Sequence, residues 1–258
     1  NREFREILLY LKQHDVKLNI HTNGGIHDTD YWKDVGNILN RFDILNFDLD
    51  GLSDTHHIYR INTKFEKVFE NAKAAISTKK PQVHWKYIVF EHNKHQVEKA
   101  KELAIKEGFH TFSTVKTNRD FSPPSSGKFV HTKKKVDKQL LEKKIICSWD
   151  DWGKWYISPE GLVFRCCWTG GHYYDNDNSR FYYPPEFEHK FNGFKVPIQK
   201  IISYNYWNKL NLYLQGYDRA FPLCQSQCGK LSSSREKIEE DLNTGEKTYF
   251  DAFDQLGN

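Results

Sequence analysis

The sequence contains no methionine, and it has no cysteine before position 147. Because translation starts at methionine, we expect the chain to be part of a longer protein. The opening residues support this expectation, since apolar side chains recur at helical spacing from Phe4 to Leu11 without a preceding cap. The cysteines number five and follow no signal peptide, which favours metal binding over a disulfide framework.

Long apolar runs and a strong net charge are also missing. The longest apolar run, Ile7–Leu11, is far shorter than the ~20 residues that a membrane helix needs. The 38 basic and 34 acidic residues leave a net charge of +4, which does not require a nucleic-acid partner. We therefore expect a soluble, cytoplasmic protein with neither a membrane nor a nucleic-acid partner.

Three common functional motifs are absent from the sequence. It has no G-x-x-x-x-G-K-[ST] phosphate loop, no G-x-G-x-x-G dinucleotide fingerprint and no G-x-S-x-G nucleophile elbow. The sequence thus gives no support to phosphate-loop, dinucleotide-binding or serine-hydrolase functions.

The first 116 residues alternate between strand and helix patterns. Helical stripes run through residues 31–39, 65–76 and 97–104, with Asn93 as the expected N-cap of the last helix and Gly108 as its terminator. The strand-like runs are Lys17–Thr22, Asp43–Leu49, Val83–Phe90 and Thr111–Val115. Strands separated by helices predict an α/β fold with a parallel sheet, wound as an open sheet or as a barrel.

The pattern changes after residue 116. Residues 117–146 read as a linker, because Ser122–Gly127 is rich in turn formers and a basic run follows at Lys133–Lys144. Residues 147–258 combine crowded aromatic side chains with scattered glycines. This segment is expected to be a small irregular α+β module of short strands and turns.

Four of the cysteines have spacings that let their thiolates converge on one metal centre. These are Cys147, Cys166, Cys224 and Cys228. Gly161 is suited to a hairpin turn that returns Cys166 towards Cys147. Four sulfur ligands suit zinc or an iron–sulfur cluster, whereas the alternative is that these cysteines are ordinary buried thiols. Cys167, next to Cys166, leaves the choice of ligand between these two open.

Polar side chains also follow two strands of the predicted sheet. Thr22 and Asn23 end one strand, and Asp48 and Asp50 end the next. Functional groups gather at the carboxyl ends of parallel strands, where these side chains could hydrogen-bond a ribose, an amino group or a carboxylate. The alternative is ordinary turn chemistry at strand ends. The neighbouring histidines His56 and His57 are expected on the surface.

Read in order, these motifs resemble the radical SAM enzymes. I-H-T-N-G at residues 20–24 resembles the end of the third strand of their partial barrel, and F-D-L-D-G at residues 47–51 resembles the fourth. The order Cys-x13-Gly-x4-Cys, followed by Cys-x3-Cys, resembles the SPASM/twitch modules appended to such enzymes, in the shorter form with one auxiliary cluster.

The resemblance implies a fold, cofactors and an activity. Residues 1–116 would be the last four strands of a radical SAM partial barrel, 117–146 a linker and 147–258 the iron–sulfur domain. Thr22, Asn23, Asp48 and Asp50 would bind S-adenosylmethionine, with Asp48 at a position where the family usually has serine. The four cysteines would hold an auxiliary 4Fe-4S cluster, and the intact protein would carry a second, catalytic 4Fe-4S cluster.

The sequence lacks one family feature on which the activity depends. The catalytic cluster of the family is held by Cys-x3-Cys-x2-Cys, which this sequence lacks, so we expect this chain to be inactive alone. The resemblance implies radical chemistry on a peptide or small-molecule substrate, with a reducing electron donor as partner. The alternative function is a non-catalytic binding module on an α/β scaffold, stapled by a structural zinc on the same four cysteines.

Overall fold

In a computed structural model of the chain, the described residues are 2–116, 154–175, 183, 186–207 and 237–250. The chain divides into two compact units, one formed by Asn1–Thr132 with Ser234–Leu256 and the other by Lys133–Ser233. The segment 147–258, expected to be one domain, thus contributes its last strands to the first unit. The expected linker at 117–146 lies outside the described residues. No helix in the described ranges is long and apolar enough to cross a membrane.

The first unit is a six-stranded sheet with helices between its parallel strands. Its strands occur in the spatial order β1-β2-β3-β4-β7-β8, with β1 to β4 parallel and β7 and β8 antiparallel. The strands are β1 Asn19–Thr22, β2 Ile44–Asp48, β3 Gln82–Val89, β4 Thr111–Lys116, β7 Lys237–Asp241 and β8 Lys247–Phe250. The helices are α1 Phe4–Gln13, α2 Thr29–Ile38, α3 His56–Tyr59, α4 Phe65–Ile76 and α5 Val97–Glu107.

One face of the sheet carries the hydrophobic core. Side chains of the strands alternate between faces, and Phe47, Trp85 and Phe112 belong to the apolar set. They pack with helix residues in a single cluster to which α1, α2, α4 and α5 all contribute. Phe69 of α4, for example, meets the Trp85 ring edge-on at 5.7 Å between centroids. Helices α1, α2, α4 and α5 therefore share one side of the sheet.

This arrangement distinguishes between the two windings that the sequence left open. A doubly wound open sheet has helices on both faces and a switch point at which the strand order reverses. Here the four parallel strands follow one another in sequence order, and one hydrophobic cluster unites the helices. A sheet wound in one direction with helices on one side is the arrangement found in (β/α) barrels, which supports a partial barrel over the open sheet.

The other face of the sheet, called the inner face below, is polar. The parallel register places its side chains in two rows that cross the strands. The first row is His21, Asn46, His84, Thr111 and Asp241. The second row is Asp48, Lys86, Ser113 and Glu239. Such polar rows are expected where a barrel interior binds a ligand, because a purely structural interior is filled with branched apolar side chains.

The described part of the second unit is built around a short hairpin. Strands β5 Tyr156–Ile157 and β6 Val163–Phe164 pair antiparallel, and Gly161 lies between them with φ +80°. The helices are α6 Cys167–Asp175, α7 Phe187–Lys190 and α8 Ile198–Ile202. Its core is largely aromatic, with Phe164, Phe187 and Trp207 among the buried rings. The predicted hairpin at Gly161 is confirmed.

The four predicted parallel strands are confirmed, and so are the helical stripes between them. Gly108 ends α5 in the left-handed conformation, as predicted. Asn93 is not the N-cap of α5, because a 3-10 turn at Lys94–Gln96 precedes that helix. The sequence also did not predict β7 and β8.

We predict that Gly24→Ala destabilises the first unit more than Gly245→Ala does. Both glycines have positive φ, +63° and +74°, so an added Cβ strains both backbones by about 1–2 kcal/mol. The Cβ at position 24 would also lie 2.6 Å from the buried Phe47 ring, whereas nothing lies within 4 Å at position 245. Overpacking adds about 1–3 kcal/mol, so urea unfolding should give a free-energy loss larger by that amount for Gly24→Ala. Equal losses would contradict the packing.

Candidate functional site

The candidate site is centred on Arg60, at the carboxyl ends of β1 and β2. The Arg60 Nε donates to Asp50 Oδ2 at 2.6 Å, and Nη2 lies 3.1 Å from Asp48 Oδ2. Its Nη1 donates to Asn23 Oδ1. Three of the four predicted site residues, from two strands, therefore meet on one guanidinium. Arg60 itself was not among the residues predicted for the site.

Asp50 anchors this group below the surface. Its side chain is fully buried, with one carboxylate oxygen on Arg60 and the other accepting the N–H of Ile88 at 2.6 Å. Burial raises the pKa of Asp50 to about 6, while the charge of Arg60 acts in the opposite direction. Both carboxylate oxygens are engaged by the protein, so Asp50 holds Arg60 and β3 in place.

His56 completes the support for Arg60, and the expectation that it lies on the surface is wrong. Its Nδ1 accepts the Asp50 N–H at 3.3 Å, and its Nε2 lies 3.0 Å from Thr63 Oγ1. The Thr63 hydroxyl donates to the Arg60 carbonyl. Burial, followed by the charge of Arg60, lowers the pKa of His56 to about 4, so the ring is neutral at pH 7. His57 is exposed, as expected.

Two buried asparagines fix the loops that carry the site. Asn71 of α4 donates to the carbonyls of Gly24 and His27, at 2.7 and 2.9 Å. Asn93 donates to the Asp50 and Ile88 carbonyls, at 3.2 and 3.0 Å. Asn93 therefore joins the loops after β2 and β3, which explains why it does not cap α5.

Thr22 is separate from the cluster. It faces the apolar side of the sheet in register with Phe47, and its Oγ1 accepts the Gly24 N–H at 3.0 Å. This contact is a local hydrogen bond within a turn. The sequence left that role open as the alternative to ligand binding for each of the four predicted residues. Thr22 shapes the loop that presents Asn23.

Among the side chains that meet on Arg60, Asp48 keeps an unused hydrogen-bond acceptor within the described part of the chain. Its Oδ2 pairs with Arg60, but Oδ1 is buried and has no hydrogen-bond partner among the described residues. A buried polar atom without a partner typically costs about 1–3 kcal/mol. Because Asp48 lies on the inner face at the end of β2, a ligand hydroxyl or amino group at this edge of the sheet could donate to Oδ1.

The rest of the inner face was missed by sequence reasoning. His84 is buried, and burial, followed by His110, lowers its pKa to about 4. Burial, followed by the charge of Lys86, also lowers the pKa of His21. The available signal was the alternation of polar with apolar residues within β2 and β3, Asn46 with Asp48 and His84 with Lys86. Strands buried on both faces lack such alternation.

Of the four predicted metal ligands, the structure describes Cys166 alone. Its Sγ is buried before α6, where the Thr169 N–H points to it at 3.5 Å. Burial, followed by the neighbouring Cys166, raises the pKa of Cys167. The other three predicted ligands, Cys147, Cys224 and Cys228, lie outside the described residues. Within the described ranges, no group of three or more His, Cys, Asp or Glu side chains could hold a metal ion.

No protein-family model matches this chain, and no curated protein does. Solved structures that match include Streptococcus suis SuiB, at 13% identity and a TM-score of 0.45, over 75% of this chain and 55% of that one. SuiB bound to S-adenosylmethionine matches at 13% identity and a TM-score of 0.46, over 86% of this chain and 62% of that one. The chain thus spans less than two thirds of the length of either structure. Likenesses at this level do not assign the chain to a family.

Proposed function

We propose that this chain supplies the S-adenosylmethionine-binding edge and the auxiliary-cluster module of a radical SAM enzyme. The observation that carries the proposal is the group of side chains that meets on Arg60, in which Asp48 Oδ1 lies on the inner face without a hydrogen-bond partner among the described residues. The substrate would be a peptide or a small molecule, and a reducing donor would supply electrons. In the family, a reduced catalytic cluster cleaves S-adenosylmethionine to a 5′-deoxyadenosyl radical, and the ligands of that cluster are not in this chain.

Asp48 can bind the ribose of S-adenosylmethionine even though the family usually has serine at this position. A ribose offers hydroxyl donors, and a carboxylate oxygen is a stronger acceptor than a serine hydroxyl. The guanidinium of Arg60, 3.1 Å from Oδ2, balances the carboxylate charge and fixes its rotamer. The free oxygen is therefore held in place before a ligand arrives, which lowers the entropic cost of binding.

The surroundings of Cys166 are suitable for a ligand of an iron–sulfur cluster. Its sulfur is buried at the start of α6, with the Thr169 N–H at 3.5 Å and the Thr169 hydroxyl at 3.6 Å. An N–H group that points at a ligating sulfur tunes the reduction potential of an iron–sulfur cluster. Together with Cys147, Cys224 and Cys228, Cys166 would hold one auxiliary 4Fe-4S cluster, which would relay an electron or help to position the substrate. The same donor set would serve the alternative function, a zinc-stapled binding module.

We predict that purified chain binds S-adenosylmethionine and that binding depends on an acceptor at position 48. Asp48→Leu removes the acceptor at similar volume and should weaken binding at least about tenfold in calorimetry, because a hydrogen bond to a charged group is lost. Asp48→Ser restores the usual family residue and should bind within a few-fold of the wild type.

Asp34→Ala is the control for this titration, since Asp34 is on α2 and pairs with Arg5 at the surface. It should bind like the wild type. Circular dichroism on each variant would exclude unfolding as the cause of lost binding. Wild-type chain that does not bind S-adenosylmethionine, or Asp48→Leu that binds it equally well, would contradict the proposal.

The cluster prediction compares two adjacent cysteines. After anaerobic reconstitution, we expect about four irons and four sulfides per chain. Cys166→Ser should lose most of this iron, whereas Cys167→Ser should retain it. The measurement is iron, sulfide and zinc content with an absorption spectrum. Stoichiometric zinc without iron would favour the binding module, and equal iron loss in both variants would contradict the assignment of Cys166.

A further inference from the structure

Lys86 is a charge on the inner face that the proposed contacts of S-adenosylmethionine leave unused. It lies in the middle of β3, in register with Asp48 on one side and Ser113 on the other. Its side chain is partly exposed, and it forms no ion pair within the part of the chain that the structure describes. The ammonium is therefore accessible to a ligand on this face.

The other charges around Lys86 already have partners. Asp48 pairs with Arg60, and Glu239 pairs with Lys237 of the same strand. Asp241 accepts the N–H groups of residues 243 and 244 in the turn after β7. Among the described residues of this face, Lys86 is therefore the lysine or arginine without an ion-pair partner.

A second polar group with unused bonding capacity among the described residues lies next to Lys86. His84 precedes it by two residues, so both side chains project from the same face of β3, about 7 Å apart along the strand. His84 is 9% exposed, and its Nε2 is buried without a hydrogen-bond partner among the described residues. A ligand that lies along β3 could pair with Lys86 and hydrogen-bond to His84 together.

The charge pattern selects the ligand chemistry. Asp48 is one strand from Lys86 and Glu239 two strands away on the other side, at roughly 5 and 10 Å between backbones. A phosphate carries nearly two negative charges at pH 7, one more than Lys86 balances, and it would bring the second charge close to these carboxylates. A carboxylate carries the single charge that Lys86 balances. It also accepts hydrogen bonds from neighbouring donors.

We propose that Lys86 and His84 form a carboxylate-binding subsite on the inner face. The inference rests on the proposed function for its context and deepens it, because it names the chemistry of a second contact at the same site. The carboxylate has two possible sources, the methionyl group of S-adenosylmethionine and an acidic substrate. Both sources would make the same contact with the ammonium.

The test uses a small carboxylate whose binding can be measured without S-adenosylmethionine. The chain is labelled at lysine side chains and titrated with N-acetylglycine at constant ionic strength, with nuclear magnetic resonance as readout. The Lys86 signal, assigned by its loss in Lys86→Gln, should shift saturably, and the signal of Lys99 on the outer helix α5 should not. N-acetylglycinamide, the same molecule without the charge, should leave Lys86 unchanged.

Affinity in variants gives the second readout. Followed through the backbone amides of β3 and β4, Lys86→Gln should weaken N-acetylglycine binding at least about tenfold, because its charged partner is lost. Lys99→Gln should bind like the wild type. A shift at Lys86 that is linear in concentration and matched at Lys99, or unchanged affinity in Lys86→Gln, would overturn the subsite.

Two nucleosides then identify the source of the carboxylate. If S-adenosylmethionine shifts the Lys86 signal but methylthioadenosine does not, the cosubstrate supplies the carboxylate, because methylthioadenosine lacks the aminocarboxypropyl group that carries it. If neither shifts Lys86 while N-acetylglycine still binds with S-adenosylmethionine present, the substrate supplies it. If S-adenosylmethionine fails to bind at all, the proposed function fails, but the N-acetylglycine titration still decides on Lys86.

Discussion

The candidate site depends on one guanidinium. Arg60 contacts Asn23 after β1 and both aspartates at the end of β2, and through Asp50 it is linked to the backbone of β3. Removing one partner of a buried pair typically costs about 3–5 kcal/mol, since the remaining charge is left unpaired. The neutral His56 and the Thr63 hydroxyl fix the loop that carries Arg60. The ends of three strands are thus held by a single side chain.

The division between the two faces of the sheet explains how the same strands serve stability and binding. The outer face is apolar and packs all the long helices of the first unit in one cluster. The inner face is therefore free to carry polar rows that would be unfavourable in a core. Asp48, Lys86 and His84 lie on this face with unused bonding capacity among the described residues, which is the arrangement expected of a ligand site and not of a packed interior.

The sequence predicted the elements better than the site. Periodicity located the parallel strands because each is apolar on the core side, but β7 has a single apolar residue among charged ones and pairs with β4 from far along the chain. Asn23, Asp48 and Asp50 were predicted as site residues from their positions at strand ends, and the structure brings them together on Arg60. Arg60 was missed because its role comes from a loop fold and not from a repeat, although two aspartates two residues apart imply a cation. The position of a residue at a strand end does not specify the face on which its side chain lies, so the sequence did not separate Thr22, in register with Phe47, from the other three residues.

Hydrogen–deuterium exchange of the purified chain, with and without S-adenosylmethionine, tests most directly whether the inner face at the Arg60 cluster is the ligand site. Our account predicts that the cosubstrate slows exchange in the loops after β1 and β2, residues 22–25 and 48–60. Exchange in the outer helices α1 and α5 should stay unchanged. Protection confined to those helices or to the second unit, with the two loops unaffected, would contradict the account.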